Sequence, residues 1–333
     1  MKQDSVEIGT AIARPGELAR GVLRVGLLFD SSTVDIPVVV INGARPGTNV
    51  WIQSGLHGNE YVGARAIHQL LSEINPAQVV GGLVVVPMGN ILAFRSARRS
   101  AEQDGLDMNR VWPGSDVDDA RSLSAHTEIA VNHLYQPMRQ FADIVIDCHS
   151  GGWANKMANW IAYLDTGDEA SRTAGQLAEA SGLDVIWRRE RDSFIKKVAG
   201  SLSDLLASEG IPCVVIEVGG EGRVDPEPLA AMTNALRNIL GSTGVLRGMS
   251  TAKSQARHVA HGKWMRAKEG GMFRRSVELL QEVHEGDTVG LITDLHGDLL
   301  ETISAPIEGI VIGIRTLAVV NSGEYIGNIA EQA

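Results

Sequence analysis

Residues 50–74 read VWIQSGLHGNEYVGARAIHQLLSEI and place a short apolar strand directly before an amphipathic helix. The strand is predicted over Val50–Gln53 and the helix over Glu60–Ile74. The turn between them holds a histidine and a glutamate three positions apart, and Gly55 and Gly58 let the backbone turn tightly. An imidazole and a carboxylate spaced in this way can converge on one point.

The same alternation of strand and helix continues to about residue 250. Six further segments are β-branched and apolar on both faces, which predicts buried strands at Val38–Asn42, Leu83–Pro87, Asp143–Asp147, Trp160–Leu164, Asp184–Trp187 and Cys213–Glu217. Amphipathic segments between them predict helices at Ser124–Phe141, Ala170–Ser181, Leu202–Glu209 and Pro226–Leu240. We therefore predict an α/β sandwich with a largely parallel or mixed sheet, in which functional sites gather where strands end.

The character of the sequence changes near residue 250. Ser250–His261 is polar and predicts a linker. From Trp264 to Ala330, short strand-like segments alternate with glycine turns such as Glu285-Gly286-Asp287, which predicts a small all-β unit. We therefore expect a large α/β domain over residues 1–250 and a small β domain over residues 262–333.

Composition excludes several classes of function. The formal net charge of the 333 residues is -10 and no long Lys/Arg run occurs, which argues against a nucleic-acid partner. No apolar segment approaches the roughly 18 to 20 residues of a membrane span, and MKQDSVEIGT at the start lacks the apolar stretch of a signal peptide. We expect a cytoplasmic protein that acts on a small molecule and has no membrane partner.

The two cysteines, Cys148 and Cys213, both lie in apolar strand-like segments. Buried free thiols fit a reducing compartment. Cys148 precedes His149, but neighbouring residues of a strand point to opposite faces, so a structural role is favoured over that of a nucleophile.

A third possible metal ligand follows another buried strand. His149 lies in IVIDCHSGG, residues 144–152, where the strand ends in a glycine loop. Three protein ligands with N and O atoms and one position left for water describe a catalytic zinc site, and Asp147 is close enough to orient a ligand. The alternative is that His57 and His149 are ordinary loop histidines.

A long loop, Asn90–Ser122, contains the sequence DGLDMNRVWPG over residues 104–114. Arg110 can clamp a carboxylate with two hydrogen bonds, and Asn109 adds another donor. Three arginines upstream offer a cation for a developing oxyanion: Arg95, Arg98 and Arg99. The alternative is that the basic residues of this loop form structural salt bridges with Asp116–Asp119.

Glu217 ends an apolar strand, in PCVVIEVGG over residues 212–220. Burying a carboxylate at such a position is costly unless it has a purpose. Beside zinc it can take a proton from water and return it to a leaving amine. The alternative is a buried glutamate paired with an arginine.

Taken in order, these segments resemble the zinc carboxypeptidase superfamily, and within it the succinylglutamate desuccinylase/aspartoacylase family. The matching pieces are GLHGNE, DMNR, DCH and IEVGG, and the resemblance extends over most of residues 20–330. It implies a mixed-sheet sandwich and one zinc ion per chain, held by His57, Glu60 and His149. It also implies that Glu217 is the general acid/base.

The resemblance assigns roles in the long loop as well. Asn109 and Arg110 would bind a substrate carboxylate, and Arg99 best matches the arginine that polarises the scissile carbonyl. The implied activity is zinc-dependent hydrolysis of the amide bond of a small N-acylated amino acid, such as N-acetyl-diaminobutyrate. An acidic substrate would need further cations, for which the candidates are Arg188, Arg189 and Arg191.

Two rival functions stay open at this point. One is a zinc carboxypeptidase that acts on short peptides, and the other is a binding or scaffold module with a relic pocket.

The C-terminal domain resembles the small β-barrel of this family, which is similar to biotinyl and lipoyl carriers. A carrier needs a lysine on the hairpin near Ile314-Arg315-Thr316, and none follows Lys268. We therefore expect the barrel to shape the pocket entrance or to build a homo-oligomer.

Overall fold

The computed structural model describes residues 5–116, 125–190, 200–246 and 255–333. The first 246 residues alternate strands and helices, as predicted. The strands are β1 (Val6–Ile8), β2 (Ala11–Ala13), β3 (Glu17–Leu27), β4 (Thr33–Asn42), β5 (Arg45–Ser54), β6 (Val80–Val86), β7 (Ile144–His149), β8 (Asn155–Asp165), β9 (Val185–Glu190) and β10 (Cys213–Gly220). The helices are α1 (Val62–Glu73), α2 (Ile91–Arg95), α3 (His126–Phe141), α4 (Glu169–Ser181), α5 (Leu202–Ser208) and α6 (Pro226–Ser242). All seven predicted strands and five predicted helices are confirmed.

The centre of the large sheet is parallel, and an antiparallel pair borders it on each side. Strands β10, β7, β5 and β6 are parallel neighbours, whereas β8 runs antiparallel to β10 and β4 runs antiparallel to β6. The prediction of a mixed α/β sheet is therefore confirmed. Because β5, β7 and β10 are parallel, their carboxyl ends lie along one edge, where a site can form.

Both faces of the sheet are buried. Along β5, Val50 and Ile52 point to one face and Trp51 to the other, and all three are fully buried. Helices α1, α4 and α6 cover the face of Val50 and Ile52, and α3 and α5 cover the face of Trp51. Burial on both sides explains why these strands are apolar along their whole length.

The C-terminal part is all-β, as predicted, but half of it continues the large sheet. Its strands are β11 (Arg257–Arg266), β12 (Gly271–Arg275), β13 (Glu282–Val283), β14 (Thr288–Thr293), β15 (Leu299–Ser304), β16 (Gly309–Arg315), β17 (Val319–Val320) and β18 (Tyr325–Gln332). Strands β11, β18, β16 and β13 extend the large sheet beyond β9, and β15, β14, β12 and β17 form a second sheet. The division into two domains stays a prediction.

The predicted linker Ser250–His261 is wrong from residue 257 onward. Strand β11 begins at Arg257 and pairs in parallel with β9, with His258 opposite Ile186. Within residues 257–261, positions 257, 258 and 261 are exposed and only Val259 and Ala260 are buried, so the composition of this part of the strand is that of a loop. Residues 250–254 lie outside the described residues.

The predicted long loop Asn90–Ser122 also contains regular structure. Helix α2 begins after Asn90, whose side chain accepts a hydrogen bond from the Ala93 amide. A single 3₁₀ turn spans Met108–Arg110. Within the described ranges, no helix is both long and apolar enough to cross a membrane.

Candidate active site

His57, Glu60 and His149 meet at the carboxyl ends of β5 and β7. The Glu60 carboxylate lies between the two imidazoles, with Oε1 2.8 Å from His57 Nδ1 and Oε2 3.0 Å from His149 Nδ1. The Ser150 amide also donates to Oε2, at 3.0 Å. Each of the three side chains is almost completely buried. The sequence prediction that they converge agrees with this geometry.

The far nitrogen of each imidazole is held by an aspartate. His57 Nε2 lies 3.1 Å from Asp107 Oδ1, and His149 Nε2 lies 3.0 Å from Asp147 Oδ2. An imidazole that donates from Nε2 keeps its Nδ1 lone pair free for a metal. Both Nδ1 atoms face Glu60, and with Nε2 directed to an aspartate each can present its lone pair to a metal once any Nδ1 proton is released.

These three residues suit zinc. Their ligand atoms all lie within 4.8 Å of one another, and two imidazole nitrogens with one carboxylate oxygen are a known catalytic zinc set. Hydrogen bonds link Glu60 to both imidazoles at the place where one cation would bind. The donor set, the burial and the orienting aspartates therefore all fit a single divalent ion.

Charges inside the cluster shift its titration strongly. Burial raises the pKa of Glu60, but the His57 and His149 rings outweigh it and hold that pKa well below its usual range. Burial lowers the pKa of His149, yet Asp147 and Glu60 together raise it well above the usual value. Without a cation, these opposite shifts favour a proton on His149 over a proton on Glu60.

Glu217 lies beside the cluster, on the next strand. It pairs in register with His149 across the parallel β10 and β7. Its Oε2 atom is buried and has no hydrogen-bond partner among the described residues. Burial, followed by repulsion from Glu60, raises the pKa of Glu217 to about 8. An ion pair of Glu217 with an arginine, the alternative, is absent from the described residues.

Of the three upstream arginines, only Arg99 faces the cluster. Its Nε and Nη2 donate to Asp107 Oδ2 at 3.1 and 2.9 Å, and its Nη1 lies 3.8 Å from Glu60 Oε1. Arg95 donates instead to the Thr33 carbonyl. Arg98 pairs with Glu102 on the surface.

Asn109 and Arg110 enter the site on the 3₁₀ turn. The Asp107 side chain caps this turn by accepting from the Asn109 amide at 2.9 Å. Asn109 Nδ2 lies 3.5 Å from His149 Nε2, and its Oδ1 accepts from the Leu202 amide at 2.9 Å. Arg110 donates to the Asn109 carbonyl and makes no ion pair within the described residues. The alternative interpretation paired the basic residues of this loop with Asp116–Asp119, of which residues 117–119 lie outside the described part of the chain.

A cavity of about 530 Å³ is lined by several of these groups, namely His57, Arg99, Asp107, Asn109, Arg110, His149 and Glu217. Side chains from the C-terminal part of the chain form one side of the cavity, which agrees with the expectation that this part shapes the pocket entrance. These side chains are Trp264, Arg266, Glu324 and Tyr325. Arg189 is buried at the border of the cavity and donates to Asp204. Arg188 points outward to Asp165 and Glu190, and Arg191 lies outside the described residues.

Several residues of the cavity were missed from the sequence. Asp107 lies in the segment 104–114 but was assigned no role from the sequence, although it contacts both His57 and Arg99. Trp160 was predicted only as the first residue of a strand. The antiparallel register that places it opposite Glu217 cannot be predicted from the spacing of residues in the sequence. Tyr325 carries no local signal at all.

The fold and the buried cluster place the chain in the zinc carboxypeptidase superfamily. Residues 46–242 match the description "Succinylglutamate desuccinylase/Aspartoacylase catalytic domain". Since this match covers more than half of the chain, the protein belongs to the succinylglutamate desuccinylase/aspartoacylase family.

Individual relatives span nearly the whole chain. The N-alpha-acetyl-L-2,4-diaminobutyric acid deacetylase of Halomonas elongata is 28% identical over 323 residues, which cover 93% of this chain and 91% of that protein. The product-bound structure of the ectoine utilization protein EutE (DoeB) from Ruegeria pomeroyi has a TM-score of 0.85 at 23% identity, over 98% of both chains. A succinylglutamate desuccinylase/aspartoacylase from Rhodobacter sphaeroides has a TM-score of 0.83 at 25% identity, also over 98% of both.

Proposed function

We propose that this protein is a zinc-dependent deacylase that hydrolyses the amide bond of a small N-acylated amino acid. The observation that carries the proposal is the pairing of two features at one strand edge. The ligand atoms of His57, Glu60 and His149 lie close enough for one ion, and Glu217, whose Oε2 has no partner among the described residues, lies beside them. Family membership and the named activities of the relatives support the same chemistry.

The reaction needs one proton to move from water to the leaving nitrogen. A zinc ion bound by the cluster would activate water and polarise the carbonyl group. Glu217 accepts the proton that the attacking water loses, because its Oε2 has no other partner among the described residues. When the C–N bond breaks, Glu217 returns this proton to the departing amine. The positive charge of the ion would offset the burial that raises the pKa of Glu217.

Arg99 supplies a second positive charge at the reacting carbonyl. Its Nη1 lies 3.4 Å from His57 Nδ1 and 3.8 Å from Glu60 Oε1, so the guanidinium stands next to the metal-binding atoms. A fixed cation at this place stabilises the negative charge that develops on the carbonyl oxygen.

The opposite end of the substrate meets Asn109 and Arg110. Since Arg110 makes no ion pair in the described part of the chain, its free N–H groups suit a substrate carboxylate. Arg189 and Arg266 also border the cavity. N-acetyl-2,4-diaminobutyrate is the first substrate to test, because the deacetylase of Halomonas elongata is named for it.

The cavity disfavours the rival carboxypeptidase. A peptide substrate extends away from the metal and needs room there, whereas the cavity measures about 530 Å³ and has the bulky side chains of Trp264 and Tyr325 in its wall. Space limited in this way suits one amino acid with a short acyl group.

The experiment compares zinc-loaded wild type with Glu217→Gln on N-acetyl, N-succinyl and N-formyl amino acids and on short peptides. We expect the wild type to release amino acids from the acylated substrates and the variant to keep its zinc but lose nearly all turnover. Glu227→Gln, on the exposed start of α6, is the matched control and should behave as wild type. Full activity of Glu217→Gln, or cleavage of peptides alone, would refute the proposal.

A further inference from the structure

Trp160 lines the cavity, and its buried indole N–H has no partner in the part of the chain that the structure describes. Trp160 is only 7% exposed, and its Nε1 atom meets no acceptor among the described residues. Buried indole N–H groups in proteins usually donate a hydrogen bond, and one that does not is costly to desolvate. An unused donor at the wall of a substrate cavity therefore points to a ligand.

The position of Trp160 is fixed relative to the proposed base. Across the antiparallel strands β8 and β10, Trp160 lies directly opposite Glu217. Residues paired in this way have their side chains on the same face, with Cβ atoms about 5 Å apart. A substrate held against Glu217 must therefore pass within reach of the Trp160 ring.

A neighbouring tryptophan provides an internal comparison. The rings of Trp160 and Trp187 pack edge to face, with centroids 5.5 Å apart. Trp187 uses its N–H within the fold, donating to the Ala260 carbonyl at 2.7 Å. The two indoles are neighbours, yet within the described part of the chain only the N–H of Trp187 has an acceptor.

Apolar side chains flank Trp160 in the lining of the cavity. Ala162 and Val215 form a register pair two positions further along the same strands and on the same face, and Met157 borders the same cavity. A single donor in an apolar wall recognises a group that is mostly hydrocarbon and carries one acceptor atom.

We propose that Trp160 determines substrate specificity by donating its indole hydrogen bond to an oxygen atom that the substrate carries away from the scissile amide. The inference rests on the proposed deacylase function. Two parts of an N-acyl amino acid can supply such an oxygen, namely the side chain of the amino acid and the far end of the acyl group. The chemistry of recognition is the same for both, and the test separates them.

The test compares wild type and Trp160→Phe on two matched pairs of substrates. N-acetyl-O-methylserine and N-acetyl-norvaline differ by one side-chain oxygen in place of a methylene group, and N-methoxyacetyl and N-butyryl derivatives of one amino acid differ by one acyl oxygen in place of a methylene group. We expect the variant to lose about 10-fold in kcat/KM on the oxygen-bearing member of one pair and less than about 2-fold on the other member. Equal losses within both pairs, or no loss, would overturn the inference.

A second measurement does not depend on turnover. In zinc-loaded Glu217→Gln with ¹⁵N-labelled tryptophan, saturation with the better oxygen-bearing substrate should move the Trp160 indole proton downfield and leave that of Trp187 in place. A Trp160 signal that does not move contradicts the inference even if Trp160→Phe folds poorly. Trp187→Phe should lower the melting temperature, because it leaves the Ala260 carbonyl without its donor.

Failure of the proposed function would look different. If zinc-loaded wild type hydrolyses none of the four substrates, the deacylase proposal falls, and the specificity role falls with it. If wild type is active but Trp160→Phe does not discriminate within either pair, only the role of Trp160 is refuted.

Discussion

Asp107 Oδ1 lies 3.1 Å from His57 Nε2, although 50 positions of the chain separate the two residues. The other oxygen of the same carboxylate accepts two hydrogen bonds from Arg99. Burial raises the pKa of Asp107, but the His57 hydrogen bond and the Arg99 charge hold it well below its usual range. One carboxylate thus positions both a candidate metal ligand and the candidate oxyanion cation.

Replacing Asp107 should therefore weaken zinc binding. We expect Asp107→Asn to lower zinc affinity about 10- to 100-fold, because the amide no longer holds the His57 ring as a carboxylate does. The measurement is competition with a chelator of known affinity. Asp35→Asn, which removes the surface pair with Arg24, is the matched control. Wild-type affinity in Asp107→Asn would show that His57 does not need this partner.

Arg99 should matter for the rate and not for the metal. We expect Arg99→Ala to lose on the order of 100-fold or more in kcat while binding zinc, since it removes one stabilising charge from the oxyanion. Arg98→Ala removes only the surface pair with Glu102 and serves as the control. Steady-state kinetics with an N-acyl amino acid distinguish the two. An equal effect of both variants would contradict the assignment of Arg99.

Zinc binding should release a proton near neutral pH. The pKa of His149 is raised in the metal-free protein, so the imidazole is still protonated above the usual histidine pKa, and zinc must displace that proton. Affinity should therefore fall as the pH falls, and the fall should begin above about 6.5. Calorimetry in two buffers of different ionisation enthalpy measures the release. Asp147→Asn should move the fall to lower pH, because it removes the larger of the two charges that raise this pKa.

Gly58 is required for space. A Cβ atom at this position would lie 2.1 Å from the Ala93 carbonyl carbon and 2.2 Å from the Phe94 nitrogen, both of them backbone atoms. We expect Gly58→Ala to destabilise the protein by about 1 to 3 kcal/mol and to weaken zinc binding, because the turn that carries His57 must shift. Gly26→Ala, which meets nothing within 4 Å, is the control. Thermal unfolding with and without zinc measures both effects.

Strands are predicted most accurately from the sequence where burial is strongest. Strands β5, β7 and β10 are covered on both faces, so their apolar composition identifies them and places His149 and Glu217 at strand ends. Strand β3 was missed, because it lies at the edge of the sheet and only Leu23 along it is fully buried. Strand β11 lies inside the sheet, between β18 and β9, but its first residues are mostly exposed, so its start was predicted as a linker.

Prediction of the site residues from the sequence is limited by a different cause. Convergence of His57, Glu60 and His149 follows from parallel strand order, which alternation of strands and helices predicts. The contacts of Asp107 and the pairing of Trp160 with Glu217 depend on a loop path and on an antiparallel register. Neither property has a periodic signal in the chain.

The central claim is that two histidines and a glutamate hold one zinc ion. The direct measurement is the zinc content of purified protein after equilibration with zinc and removal of the excess, for wild type and for His149→Ala. We expect about one ion per wild-type chain and almost none in the variant, because one of three ligands is lost. A wild type without zinc, or a variant that still retains one ion per chain, would contradict it.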